Sequence, residues 1–241
     1  MIYDCPVSLL ENLNLIQQRI RSACDRCGRE PNSVTLLAVS KAYPPETIQA
    51  AADCGLAFFG ENKIQEAKAK IPLCPGKLRW HFIGHLQSNK VRDAVALFEM
   101  IQGVDSLGLA QEISKRAEQA AKRMPILLEA NLSGEASKFG YKPEKLLSEL
   151  KEINFLPRLE IRGLMTVPPF FAEQEKVRPY FQRLRELKAQ CEQVISAPLP
   201  HLSMGMSGDF EVAIEEGATI IRIGTALFGP RAKAKLRAEA D

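Results

Sequence analysis

The chain has 241 residues, 25% of them charged and 46% hydrophobic, with a net charge of +3. That is the composition of an ordinary water-soluble globular protein, and a basic surplus so small and so scattered excludes a nucleic-acid surface as its organising feature. No apolar run approaches the roughly 20 residues of a membrane span, Met1-Ile2-Tyr3-Asp4-Cys5-Pro6 has neither the basic nor the apolar part of a secretory leader, and six cysteines read as reduced cytoplasmic thiols rather than a disulfide scaffold.

Leu9, Leu13, Ile16 and Ile20 recur at helical spacing and predict an opening helix. Cys24 and Cys27 follow as a C-x-x-C pair. With no second pair at zinc spacing, and at the end of a helix rather than its start, they are expected to be plain helix-end thiols. Val34–Val39 is a continuous apolar run, which suits a strand buried on both faces. It ends in Ser40-Lys41, and Pro44 and Pro45 stand where a following helix would begin. Further strands are expected at 57–60, 80–84, 99–103, 126–130, 159–163, 200–203 and 219–223.

Helical patterns separate these strands. Leu109, Ile113, Ala117 and Ala120 make one apolar face, and Phe181, Leu184, Leu187 and Cys191 another. The mixed-sign stretch Arg183–Lys188 reads as a solvated amphipathic helix, and the Lys/Ala-rich stretch from Arg231 to Asp241 as a frayed one. Strand–helix alternation favours a parallel sheet with right-handed crossovers. Eight units, with no G-x-G-x-x-G after the first strand, favour a single (β/α)8 barrel over 1–241, with an extra N-terminal helix. His81 and His85 are four apart, but no Glu stands between them as in a zincin and Gly84 breaks the helix. No metal site is expected.

In such a barrel the functional groups gather where strands end. Here those ends carry Lys41, Glu61-Asn62, His85 to Lys90, Asn131 to Gly134, Met165-Thr166, and two turns rich in Ser, Gly and Thr. Ser207 before Asp209 and Phe210 reads as an N-cap with a first helical turn, a place where unpaired N–H groups bind anions. Gly224-Thr225 offers a second such turn. Loops after the seventh and eighth strands are a common phosphate site in barrels. Lys41, past an apolar strand, becomes a nucleophilic amine if desolvation lowers its pKa; otherwise it is a surface lysine. Arg222 is two residues before Gly224 and shares its face of the strand. Being a permanent donor, it would keep a neighbouring pyridine nitrogen unprotonated, and the ring a poor electron sink. Asn131-Leu132-Ser133 fits a glycosylation sequon without a leader to support its use, and Gly205–Gly208 is not a hydrolase elbow.

Six stretches of the chain now resemble one family. They are Leu37–Lys41, Phe59–Glu66, Trp80–Lys90, Arg162–Thr166, Leu202–Asp209 and Arg222–Gly229, in order over nearly the whole length. They are similar to the YggS/PROSC family of pyridoxal-phosphate homeostasis proteins. The resemblance implies a single barrel of the alanine-racemase N-terminal type that binds pyridoxal 5′-phosphate. It implies Lys41 as the Schiff-base lysine, and Ser207, Gly224 and Thr225 as the phosphate cup, with Ser203, Met204 and Gly205 adjoining. It implies Arg222 as the partner of the pyridine nitrogen, and Asn62, His85 and Met165 as residues lining the ring.

The family is regarded as a carrier and regulator of its cofactor, with effects on amino-acid and keto-acid balance and no firm catalysis. Related racemases add a β-rich domain and a tyrosine base from a partner subunit. About a dozen residues follow Gly229, so no such domain is expected, and of the four tyrosines only Tyr43 and Tyr141 are expected on the active rim. The first reading is therefore a monomeric, non-enzymatic carrier serving cofactor-dependent apoenzymes or a regulatory protein. The alternatives are a small amino-acid racemase and a Schiff-base aldolase acting on a phosphorylated sugar.

Overall fold

Strands form where the apolar runs fall: Thr35–Val39 (β1), Phe58–Glu61 (β2), Arg79–Phe82 (β3), Met100–Val104 (β4), Met124–Glu129 (β5), Leu159–Met165 (β6), His201–Ser203 (β7) and Ile220–Ile223 (β8). They pair in chain order, all parallel, and β1 closes on β8 to complete the barrel. This computed structural model describes residues 7–135 and 138–230; the frayed helix expected over 231–241 lies outside the described residues. Helices alternate with the strands: α1 (Val7–Cys27), α2 (Pro45–Asp53), α3 (Ile64–Lys70), α4 (Val91–Leu97), α5 (Leu107–Gln119), α6 (Pro143–Phe155), α7 (Arg178–Ile195), α8 (Phe210–Glu215) and α9 (Thr225–Phe228). Pro45 opens α2, where its fixed φ and missing N–H cost nothing.

Leu37, Met100, Leu127, Met165 and Ile220, from five different strands, pack on one another and fill the barrel interior. The larger core lies between strands and helices. There Phe181, Leu184, Leu187 and Cys191 of α7 are buried, as their spacing requires. Along α1, Leu9, Leu13, Ile16 and Ile20 face the protein, and the helix packs on α8 and α9. Polar ties add to that contact. Asn12 donates to the Leu227 carbonyl (3.1 Å), Arg29 to the Ile214 carbonyl (2.7 Å), and Arg19 bonds Glu211 (2.7 Å). Cys24 is buried at the end of α1, and the Cys27 thiol donates to the Ala23 carbonyl.

Two local features set the shape of the working rim. Between β5 and β6 the register slips, with Ile126 opposite Ile161 but Leu127 opposite Gly163, so Arg162 is extra. Gly163 sits at φ +152, and a side chain there would run into the His201 carbonyl. The turn after β7 departs from expectation: Ser207 is not a helix cap. The cap of α8 is Asp209, and Ser207 lies in the preceding turn. Gly205 holds φ +91, and Asp209 Oδ1 accepts the Met206 N–H across the turn, so the helix begins at Phe210, later than the hydroxyl pattern implied. Among the described residues no helix is long and apolar enough to cross a membrane, and no His, Cys, Asp and Glu side chains group to hold a metal.

Candidate functional site

Just past β1, Ser40 is fully buried and Lys41 half-buried on the C-terminal rim. The chain on either side of Lys41 is clamped. Before it, the Ser40 hydroxyl donates to Glu61 Oε1 (2.7 Å) and the Ser40 carbonyl accepts from Lys70 Nζ (2.9 Å). After it, the Ala42 N–H donates to Glu66, while Lys70 Nζ donates to both Glu61 (2.8 Å) and Glu66 (2.6 Å). Ala42 holds φ at +66, uncommon for a residue with a Cβ, and this network over-determines it. Burial pushes the Glu61 carboxyl up, against the pull of Lys70. One residue further on, the Tyr43 hydroxyl donates to the Gly229 carbonyl (2.6 Å) and its ring meets Phe228 at 4.8 Å. The loop carrying the lysine is thus tied to the loop after β8.

The turns after β7 and β8 face that lysine. Lys41, Ser207, Arg222, Gly224 and Thr225 line one cavity of about 300 Å³, walled also by Val39, Ile83 and Val167. The Ala226 N–H donates to Ser207 Oγ (3.2 Å), joining the two turns. Helices α8 and α9 have six and four residues, too short for much macrodipole. What the two turns offer the cavity is N–H groups and hydroxyls. Asp209 also lines the cavity and was not expected there. Its Oδ1 accepts the Met206 N–H (2.6 Å), and burial raises its pKa.

Arg222 is the buried cation of the site, 4% exposed. Its Nη1 donates to Ser203 Oγ (2.8 Å) and its Nη2 to the Thr166 carbonyl (2.8 Å). Burial lowers its pKa to about 10, with Glu129 and Asp209 opposing, so it stays charged at neutral pH. Behind it, Ser203 Oγ bonds Gln102 Oε1 (2.6 Å) and Gln102 Nε2 bonds His81 Nδ1 (2.9 Å). Burial, then the nearby Arg79 and His201, lower the His81 pKa to about 4. Glu129 at the end of β5 is pushed up to about 7 by burial and by Asp105.

The other expected site residues sit around this cavity without lining it. Ser203 lies beneath Arg222; Met204 is in the core; the Gly205 carbonyl accepts the Arg222 N–H (3.0 Å). Met165 is buried in the barrel interior, against Leu37 and Met100. Asn62 is half-buried just past β2. His85 lines an adjoining hollow of about 270 Å³ with Glu129, Lys138 and Phe139, and that hollow shares Ile83 and Val167 with the Lys41 cavity. The His85 ring stacks on Phe139 (3.7 Å) and its Nδ1 is 3.1 Å from Asp105. Sequence reasoning did not find Glu129, Phe139 or Asp209 as members of this rim, nor Gln102 beneath it.

Fold and site together define a class: a closed parallel (β/α)8 barrel with a lysine just past its first strand and turns of Ser, Gly and Thr after its last two. Residues 12–232 match the family described as "Alanine racemase, N-terminal domain". A pyridoxal phosphate homeostasis protein of Aquifex aeolicus is 47% identical, covering 92% of this chain and 97% of its own, and that of Escherichia coli K12 is 40% identical, covering 92% and 97%. The solved PipY of Synechococcus elongatus with PLP bound is 38% identical with a TM-score of 0.79, covering 89% of this chain and all of its own. Alanine racemase of Clostridium difficile, 16% identical with a TM-score of 0.69 and 56% of its own chain covered, shares the barrel fold. The chain belongs to the family of pyridoxal phosphate homeostasis proteins.

Proposed function

We propose that this protein binds pyridoxal 5′-phosphate and acts as a cytoplasmic carrier and regulator of that cofactor, touching amino-acid and keto-acid balance without turnover of its own. One observation carries the reading: an amine, two turns of Ser, Gly and Thr, and a buried cation share one cavity. The cavity volume of about 300 Å³ is at the lower end of small-molecule sites. Its donors match the cofactor part by part. Lys41 is the amine that joins the aldehyde carbon. The hydroxyls of Ser207 and Thr225, with the N–H groups of their turns, meet the phosphate. Arg222 meets the ring nitrogen. Ser203, Met204 and Gly205 back this cup and cation from beneath, and Asn62, His85 and Met165 border the ring.

When bound, the cofactor supplies a reactive aldehyde and a ring able to withdraw electrons. The residues of the chain limit the second capacity. Arg222 only donates, so the ring nitrogen stays unprotonated beside it. Neither Tyr43 nor Tyr141 lines the cavity: the Tyr43 hydroxyl is bonded to Gly229 and Tyr141 is buried. That supports binding over racemisation. The barrel is read as one domain working as a monomer, with the cofactor passed to apoenzymes or sensed by a regulatory protein.

The test is direct. Protein mixed with pyridoxal phosphate should gain a visible absorption band; borohydride should fix the adduct, with mass spectrometry locating it on Lys41. Lys41→Ala should give no adduct. Amino acids incubated with the loaded protein in D2O should keep their Cα hydrogen. Absence of an adduct overturns the binding, and brisk Lys41-dependent exchange at Cα overturns the carrier in favour of a racemase.

A further inference from the structure

Beneath the site runs a chain of three hydrogen bonds that the reading above does not use. It begins at Arg222 Nη1 and passes through Ser203 Oγ (2.8 Å), Gln102 (2.6 Å) and His81 Nδ1 (2.9 Å). Every member is buried: Ser203 and Gln102 at 0% exposure, Arg222 and His81 at 4%. The direction of each bond follows from chemistry. The guanidinium can only donate, so Ser203 accepts there and gives its own proton to Gln102 Oε1. The amide of Gln102 then donates from Nε2, so His81 Nδ1 is an acceptor and the imidazole proton sits on Nε2. A neutral His81 is required, and its burial keeps it so. The donors all point one way, and such chains polarise cooperatively in a low dielectric.

The chain answers a problem set by the arginine. A cation this deep normally has a carboxylate in contact. Among the described residues the Arg222 guanidinium bonds Ser203 and the Thr166 carbonyl, both neutral; Glu129 and Asp209 act on it only from a distance. A contacting carboxylate would occupy the fork of donors and draw the guanidinium off the cavity. Neutral dipoles from Ser203, Gln102 and the Thr166 carbonyl hold it without neutralising it.

We infer that Gln102, acting through Ser203, is a positioning residue that aims the Arg222 guanidinium at the ring nitrogen of the cofactor. The inference rests on the proposed binding of pyridoxal phosphate. Its test compares two ligands: pyridoxal phosphate, and the same phosphorylated aldehyde with a C–H group in place of the ring nitrogen. Equilibrium affinity is measured by absorbance titration for wild type, Gln102→Leu, Ser203→Ala, the double variant and Ser203→Thr. Each single break should weaken pyridoxal phosphate about tenfold and leave the nitrogen-free analogue within twofold. The double variant should lose no more than the singles, because both act in one chain, and Ser203→Thr should restore binding. Should Gln102→Leu fail to fold, Ser203→Ala, which removes one oxygen, carries the comparison. Equal losses for both ligands, additive losses, or no loss overturn the inference. Failure of wild type to bind either ligand overturns the cofactor reading itself and this inference with it.

Discussion

Burial has given Glu129 and His81 opposite responses to acid. Glu129 titrates near 4.5 unfolded and about 7 folded. Between those values the folded chain keeps a proton that the unfolded chain has lost, so stability falls as pH rises. His81 titrates near 6.5 unfolded and about 4 folded. There the unfolded chain holds the extra proton, and stability rises with pH. Each shift corresponds to about 3 kcal/mol, so the two nearly cancel between pH 4.5 and 6.5. Glu129→Gln removes one side of that balance. Its unfolding free energy relative to wild type should grow by about 3 kcal/mol from pH 4.5 to pH 7.5, read from urea midpoints across the range. A flat difference would show an ordinary carboxyl.

Residue by residue, what could be read from sequence depended on distance along the chain. Ser207 lies in a run of small residues, and Arg222, Gly224 and Thr225 are near neighbours on or just after one strand, so their shared face was legible. Gln102 and Ser203 are 101 positions apart, and Arg222 and Thr166 are 56 apart. Nothing local marks such partners. Asp209 was read as part of a capping turn; only the fold shows it as the cap and as a wall of the cavity.

At the scale of elements, all eight strands fell within a few residues of their expected positions: β1, β5 and β8 as nearly continuous apolar runs, as strands buried on both faces write themselves, and β3, β6 and β7 as short apolar stretches broken by polar residues. The bulge in β6 was not legible, since it shows only in the register against β5, where Ile126 faces Ile161 but Leu127 faces Gly163. Its stabiliser is Gly163. Gly163→Ala must adopt φ +152 and displace the His201 carbonyl of the neighbouring strand, which should cost at least about 2 kcal/mol in chemical denaturation. The ring of charge around α8 was equally hidden. Arg178 bonds Glu175, Glu215 and Glu216, Arg26 bonds Glu215, and Arg185 bonds Glu216. Single exposed pairs contribute little. This cluster ties α1 and α7 to the short helix behind the cup, so Arg178→Ala should lower stability by about 1 kcal/mol, an effect that fades in high salt.

For the whole molecule, ligand and fold are coupled by mass action. Pyridoxal phosphate at a hundred times its Kd should add about 2.7 kcal/mol, raising Tm by roughly 5–10 °C for a chain of this size. Lys41→Ala should lose most of that rise. A thermal scan with and without the cofactor checks it, and an unchanged midpoint for wild type would contradict binding to the native state.

The seam between β1 and β8 has one more consequence. Leu37 pairs with Arg222 and Ala38 with Ile223, so the lysine loop and the arginine strand are neighbours in space though they stand near opposite ends of the described chain. A polypeptide emerging from the ribosome carries Lys41 well before its counterparts on β8. Until residues 220–225 have been made and drawn across to the first strand, the amine has no cavity to serve. Occupancy of the site therefore certifies that synthesis has run past the eighth strand and that the ring has shut.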